Sequence, residues 1–289
     1  MEGFRKFFAP IAATLGFIQN HFKALLFVLI LVLIFAPKSG QELTPHNLEK
    51  IMLVGPIMDA SEVVEKINKA ANNKNVKGVL LAVDSPGGAV APSVEIAYAI
   101  KRLREQKPVV AYAKGTMASG SYYASIWANK IIANPGSIVG SIGVIMQGAD
   151  LSGVMQKIGI KTQVVKAGKY KQVGTVDRPW TPYERNELNK VIYGTYDMFT
   201  KDVADARGLD YKKRDNYANA HIFTASQAKD VGLVDSVGIE YDAKKSLQEL
   251  TKVTDPVWNK ESDFDKLMKK LAASTAVVLH TYFPSLILK

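Results

Sequence analysis

The side chain best placed to do chemistry is the hydroxyl of Ser119, in the run Met117-Ala118-Ser119-Gly120-Ser121-Tyr122-Tyr123. Before it, the apolar run 108–113 predicts a buried strand, and after it 122–128 predicts a short apolar helix. A serine at a strand-to-helix junction, flanked by small residues, is placed as an acyl-transfer nucleophile is placed. Its neighbours let a substrate backbone approach, and the first helical turn leaves N–H groups free for an oxyanion. A tight structural turn would use the same residues. A second turn of this kind is Asp84-Ser85-Pro86-Gly87-Gly88, which follows the apolar run 79–83 and precedes a helical pattern through Val94, Ile96, Ala97, Ile100 and Leu103. Consecutive glycines present bare backbone N–H groups. Neither GxxxxGK[ST] nor GxGxxG occurs, so this is not a phosphate loop of either kind.

A serine hydroxyl needs a base. The chain has 4 histidines. His21 lies in the presumed membrane-proximal N-terminus, His46 in a polar linker, and His280 in the tail. His221 precedes a helix start and reads as a capping or surface residue, so a Ser-His-Asp triad is disfavoured. The absence of cysteine excludes a thiol nucleophile and cysteine-zinc sites, and no HExxH pattern marks a metalloprotease. Lysine remains. With a reference pKa of about 10.4 it accepts a proton near neutrality only where burial or a neighbouring cation lowers that value. The residues alone leave Lys166, Lys169 and Lys171 open, each readable as a solvated surface charge.

Four ordered motifs, Asp84–Gly88, Ser119-Gly120-Ser121-Tyr122-Tyr123, Gly140-Ser141-Ile142-Gly143-Val144 and Gly168-Lys169-Tyr170-Lys171, resemble signal peptide peptidases of the SppA type. The resemblance continues through Phe223-Thr224-Ala225-Ser226-Gln227-Ala228 and Gly232-Leu233-Val234-Asp235, and covers about 50–250. It implies an α/β fold of the ClpP/crotonase type, a superhelix of repeated strand-helix units; the apolar run near the N-terminus, read below from its own residues, adds one N-terminal transmembrane helix before it. It implies Ser119 as nucleophile, Lys171 as base, Ser141 as the residue that orients the lysine, and an oxyanion hole from the Gly120 N–H plus that of Gly87 or Gly88. Asp84 reads as an anchor of its turn. Family members usually carry Ser-Gly-Gly-Tyr at the nucleophile; here Ser121 replaces the second glycine, which costs backbone freedom. Long members hold two tandem domain copies and short ones form rings, with the serine and lysine of one site drawn from different copies. The single copy here implies a homo-oligomeric ring in which Ser119 pairs with a neighbour's Lys171. The implied substrates are peptides, namely cleaved signal peptides left in the bilayer, met by an apolar specificity pocket. No metal or organic cofactor is expected.

The elements around these motifs follow the same reading. At 289 residues the chain can hold one substantial core with extensions. The unbroken apolar run 24–36, extended by Phe17, Ile18 and Phe22, reads as a signal-peptide segment, a core helix or an uncleaved anchor. The lack of a polar face disfavours the core helix, and Pro37 after Ala36 disfavours cleavage. Arg5, Lys6 and Lys23 before the run, against Lys38 after it, predict a single-pass protein of the cell membrane with a cytoplasmic N-terminus and an extracytoplasmic enzyme. The formal charge of +10 suits an anionic leaflet, and no nucleic-acid motif is present. The domain plan is therefore an anchor and linker over 1–48, a peptidase domain over 49–251 and a tail over 252–289. The tail would pack on the domain, join a subunit interface or lie on the membrane.

Within the domain, 50–57 predicts a strand and 59–72 a helix with Asp59 and Glu62 at capping-box spacing. Thr181-Pro182-Tyr183-Glu184 opens a helix carrying Leu188, Ile192, Phe199 and Val203 on one face and ending near Gly208. Thr224 and Gln227 form another capping box. Strands alternating with helices predict an α/β domain. Two other classes share these features: a crotonase-like acyl-CoA enzyme, which needs neither the anchor nor the Ser119–Lys171 pair, and a catalytically inactive membrane scaffold, against which the intact Ser119, Ser141 and Lys171 stand.

Overall fold

The structure, a computed structural model, describes Phe17, residues 19–35 and residues 45–259. Two compact units divide between Thr44 and Pro45. In the first, the helix α1 (Phe22–Phe35) has 14 residues, about 21 Å at a rise of roughly 1.5 Å per residue. Among the described residues no helix is long and apolar enough to cross a membrane. Arg5, Lys6, Ile18, Ala36, Pro37, Lys38, His280 and the tail beyond Asn259 lie outside the described residues.

The second unit is built on a 7-stranded sheet. Strands β1 (Leu48–Val54), β2 (Gly78–Ser85), β3 (Val109–Ala118), β4 (Lys130–Ala133) and β7 (Ser236–Val237) lie side by side and parallel. Helices α2 (Ser61–Asn72) and α3 (Val90–Arg104) make the crossovers β1-α2-β2 and β2-α3-β3. Parallel strands covered on both faces need side chains that are apolar in both directions, and β2 is buried almost throughout. Val79, Leu81 and Val83 point into a core shared with Ile96 and Ile100 of α3. Leu80 joins Val110, Tyr112 and Leu247 of the last helix, α8 (Glu240–Thr251), in a second core. The two-residue strand period thus separates the two helical layers.

β3 has 10 residues and, on the side away from β2, serves two partners. Val110–Ala113 pairs with β4, and Thr116–Ala118 pairs with the short strand β5 (Ile138–Gly140). The β2–β3 register shifts between Val83 and Ser85. There the Asp84 carboxylate accepts the Thr116 N–H at 3.0 Å, the anchoring role read for it. β5 pairs antiparallel with β6 (Ile222–Thr224), so the sheet is mixed, which strand-helix alternation alone did not predict. The strand ends at 83–85 and 116–118 diverge from the main sheet and carry both glycine turns to one place.

Helix α4 (Gly120–Ser125) is shorter than the predicted 122–128. Helix α6 (Pro182–Arg207) begins with the predicted capping box between Thr181 and Glu184 and stops at Gly208, whose φ of 64° closes it in the left-handed form. α5 (Ser152–Lys157) precedes it, and α7 (Ala225–Asp230) opens with the Thr224–Gln227 box. Asp59 does not cap as expected: its Oδ1 accepts the Ser61 N–H at 2.8 Å, a local turn that delays the start of α2 to Ser61. After α8, Val257–Asn259 returns to the edge of β1. Leu48 N–H donates to Val257 O at 3.1 Å and Asn259 N–H to Leu48 O at 3.2 Å. The start of the tail therefore packs on the domain, with Val253 and Trp258 against the second core.

Candidate active site

Ser119 joins β3 to α4 with φ 54° and ψ −124°, a conformation that costs a residue bearing a Cβ about 1–3 kcal/mol. Two backbone bonds hold it there: its N–H donates to Gly140 O at 2.8 Å, and its carbonyl accepts the Tyr123 N–H at 3.0 Å. The bend exposes the hydroxyl beyond the strand end, the device used by serine nucleophiles on strand-turn-helix elbows.

The Asp84–Gly88 turn lies directly against this elbow. Gly87 has φ +93°, and a Cβ there would stand 2.6 Å from Gly120 N and 2.9 Å from Ser119 Cβ. Gly88 bridges to Ile57, whose oxygen would lie 2.1 Å from an added Cβ. Both positions therefore demand glycine by contact. The residues separate by hydrogen bonding: the Gly87 N–H donates to Ser85 Oγ at 3.2 Å, whereas the Gly88 and Gly120 N–H groups have no acceptor among the described residues. The Gly88 nitrogen would be 3.3 Å from a Cβ on Gly120, so the two free donors are neighbours.

Ser119, Gly88, Gly120 and Ser141 line one cleft of about 500 Å³. Its walls are largely apolar, with Val90 and Val94 of α3, Ile145, and Ile192 and Tyr193 of α6. Tyr123 stacks edge-on against Phe199, centroids 4.9 Å apart, and donates its hydroxyl to Asp202. Burial first, then Asp202, pushes the Tyr123 phenol far above its ordinary range, so it stays protonated. Ser141 follows Gly140 in a positive-φ pair (φ 51° and 107°), and its N–H donates to His221 O at 2.7 Å. His221 is exposed and contributes its backbone to the site. The segment Gly143–Gly148, in neither helix nor strand, makes no backbone hydrogen bond among the described residues, and Ile145 on it is 87% exposed.

Lys171 is not among the residues lining the cleft. It is exposed, in the irregular stretch before α6, and its N–H donates to Gly168 O at 3.3 Å. Lys166 and Lys169 are exposed too. Sequence reading missed Ser121, Tyr123 and Arg178. Ser121 is fully buried on a helix, where serine is a better residue than glycine, so the expected cost to backbone freedom does not arise. No group of acidic residues or histidines that could hold a metal is present among the described residues.

A strained serine beside two unpaired N–H groups is acyl-transfer geometry, and comparison with known proteins gives it a family. The model of peptidase family S49 matches residues 101–254, more than half of the chain. The chain belongs to peptidase family S49. It is similar to a putative protease of Methanocaldococcus jannaschii, 43% identical over 198 residues that cover 68% of this chain and 64% of the relative. A putative signal peptide peptidase SppA of Enterococcus faecium is 35% identical over 191 residues, covering 66% of this chain and 56% of that one. The chain thus spans less than two thirds of the length of either relative. Among solved structures, a mutant of a membrane-bound stomatin-specific protease shares the fold at a TM-score of 0.52 and 14% identity, over 76% of this chain and all of that one. The S49 domain thus lies on a mixed α/β sheet.

Proposed function

We propose that this S49 peptidase cleaves peptides through a Ser119–Lys171 dyad, with the Gly88 and Gly120 N–H groups as its oxyanion hole and Ser141 orienting the lysine. The observation that carries the reading is the strained Ser119 held beside two donors without protein acceptors. Ser119 Oγ attacks the scissile carbonyl while Lys171 takes its proton; the negative charge grows on the carbonyl oxygen between Gly88 and Gly120. The amine leaves with a proton from Lys171, and water, deprotonated in turn by the lysine, releases the acid. Gly88 is favoured over Gly87 as second donor because Ser85 Oγ already occupies the Gly87 N–H. The unpaired ribbon Gly143–Gly148 offers an extended peptide the backbone partners of a strand.

The lysine comes from a neighbouring subunit. The Lys171 segment is tied to the first turn of α6, at Tyr183, while Ile192, further along the same helix, is where α6 begins to line the Ser119 cleft. Those points are about 14 Å apart at roughly 1.5 Å per residue, beyond the reach of one lysine side chain. Ile145 and Val165, 87% and 103% exposed, lie on the intervening segment as surface for a second copy to cover. Apolar cleft walls suit apolar peptides, and with α1 as part of a single-pass anchor and the domain outside the cytoplasm, the substrates are signal peptides left in the membrane. A fluorophosphonate probe tests the centre: labelling of the wild type that disappears in Ser119→Ala, with peptide cleavage abolished in Lys171→Ala, is expected. Labelling that persists in Ser119→Ala would overturn the nucleophile, and cleavage that persists in Lys171→Ala would overturn the base.

A further inference from the structure

The stretch that carries Lys171 has little regular structure, yet the residues on both sides of it are fastened to the start of α6. On one side the Tyr170 and Tyr183 rings meet edge-on with centroids 5.7 Å apart, and the Lys169 ammonium stands 5.1 Å from the Tyr183 ring. On the other side Arg178 Nη2 donates to Gln172 Oε1 at 3.4 Å. The same guanidinium grips Glu184 with both nitrogens, at 2.7 and 2.8 Å. Glu184 is fully buried and accepts two more bonds, from Thr181 N–H at 2.8 Å and Thr181 Oγ1 at 2.9 Å. Trp180 Nε1 ties the segment again, to Thr175 O at 2.7 Å.

A buried carboxylate is costly unless every lone pair is engaged. Here four donors converge on a carboxylate that does not line the Ser119 cleft, although a helix N-terminus needs only its capping box. The surplus is the Arg178 fork, and its free edge points to the residue next to Lys171.

We propose that the Glu184–Arg178 pair is a positioning clamp that, through Gln172, fixes the Lys171 backbone to the first turn of α6. α6 then transmits that position to the assembly, since its middle turns carry Tyr193 and Tyr196 of the Ser119 cleft. Each subunit thus presents its lysine at a set offset from its own serine. The clamp rests on the Ser–Lys reading above. Arg178 and Glu184 touch neither substrate nor the reacting atoms; they act by restricting the base.

The experiment uses the full chain in its membrane or detergent-solubilised form and a fluorogenic apolar peptide. Arg178→Gln, Arg178→Lys and the milder Gln172→Ala are compared with Lys171→Ala. Arg178→Gln is expected to lower kcat about tenfold or more with KM within about twofold, since a misplaced base is felt in the transition state. Arg178→Lys should not restore activity, as an ammonium cannot make the two-nitrogen grip. Gln172→Ala, which leaves the Glu184–Arg178 pair intact, should show a smaller fall in kcat, again with KM within about twofold, and it decides the matter if Arg178→Gln does not fold. An inactive Lys171→Ala chain beside Gln172→Ala and Arg178 variants of unchanged kcat would overturn the clamp alone. An active Lys171→Ala chain would overturn the Ser–Lys reading, and the clamp's role with it.

Discussion

The Ser121 hydroxyl donates to the Ser85 carbonyl at 2.6 Å and accepts the Ala118 N–H at 2.9 Å. One buried side chain therefore staples the end of β2 to the end of β3, on either side of the two turns that meet at Ser119. Removing it takes one hydrogen bond each from the Ser85 carbonyl and the Ala118 N–H, which the β2–β3 ladder still pairs with each other, and costs about 0.5–1.5 kcal/mol. Ser121→Ala should lower the urea midpoint accordingly. Ser121→Gly should lose a further ~0.5–1 kcal/mol from helix propensity, although glycine is the residue the family usually carries there. Equilibrium unfolding of the two variants checks the order.

Gly87→Ala should damage the site without replacing either donor residue. The added methyl meets Gly120 N at 2.6 Å and Ala118 O at 2.8 Å, in a backbone conformation (φ +93°) that alanine resists. Displacing the Gly120 N–H removes one donor of the proposed oxyanion hole, so kcat should fall on the order of 10²–10³-fold. Steady-state kinetics with a short peptide, alongside circular dichroism to establish folding, gives the measurement.

Mixed assemblies of Ser119→Ala and Lys171→Ala chains should regain partial activity, because intact serines and intact lysines then meet across subunit boundaries. The geometry along α6 sets this expectation, since the lysine segment and the serine cleft contact turns far apart on the same helix. Co-expression with two purification tags and assay of doubly captured material tests it. No regain in demonstrably mixed assemblies would refute sharing.

What was legible in the sequence is what short-range rules decide. Ser119 at a strand-to-helix junction, the glycine turn at Asp84–Gly88, the Thr181–Glu184 and Thr224–Gln227 caps and the Gly208 stop all depend on residues a few positions apart, and all were found. Asp59 was misread because an aspartate can close a turn on the second following N–H as well as cap a helix, and only the chain path chooses. Gly87 and Gly88 look alike in sequence; the bond from one of them to Ser85 Oγ distinguishes them. Ser121 and Arg178 acquired their partners from strand ends and a loop that sequence patterns do not pair. The antiparallel β5–β6 ladder was invisible for the same reason, each strand having 3 residues.

Acid should weaken the fold through Glu184. Arg178, with help from the Thr181 donors, holds its carboxyl far below the usual carboxylate range. A carboxylate with a depressed folded-state pKa contributes stability that is complete above the unfolded value of about 4.3 and is lost as pH falls through the folded one. Glu184→Gln should therefore be less stable than wild type at neutral pH and show a flatter loss of stability below about pH 4. Urea midpoints measured across the acid range would reveal the difference in slope.

The return of Val257–Asn259 to β1 has a bearing on how such an enzyme handles its own substrates. Extended peptides add to any open sheet flank with unpaired backbone groups. Here the first half of the β1 flank is already occupied by Val257 and Asn259, and the opposite flank, β7, offers only 2 residues. Decoy rails are thereby shortened at both sides of the sheet, which leaves the segment Gly143–Gly148, unpaired among the described residues and beside Ser119, as a vacant track for a stray unfolded chain.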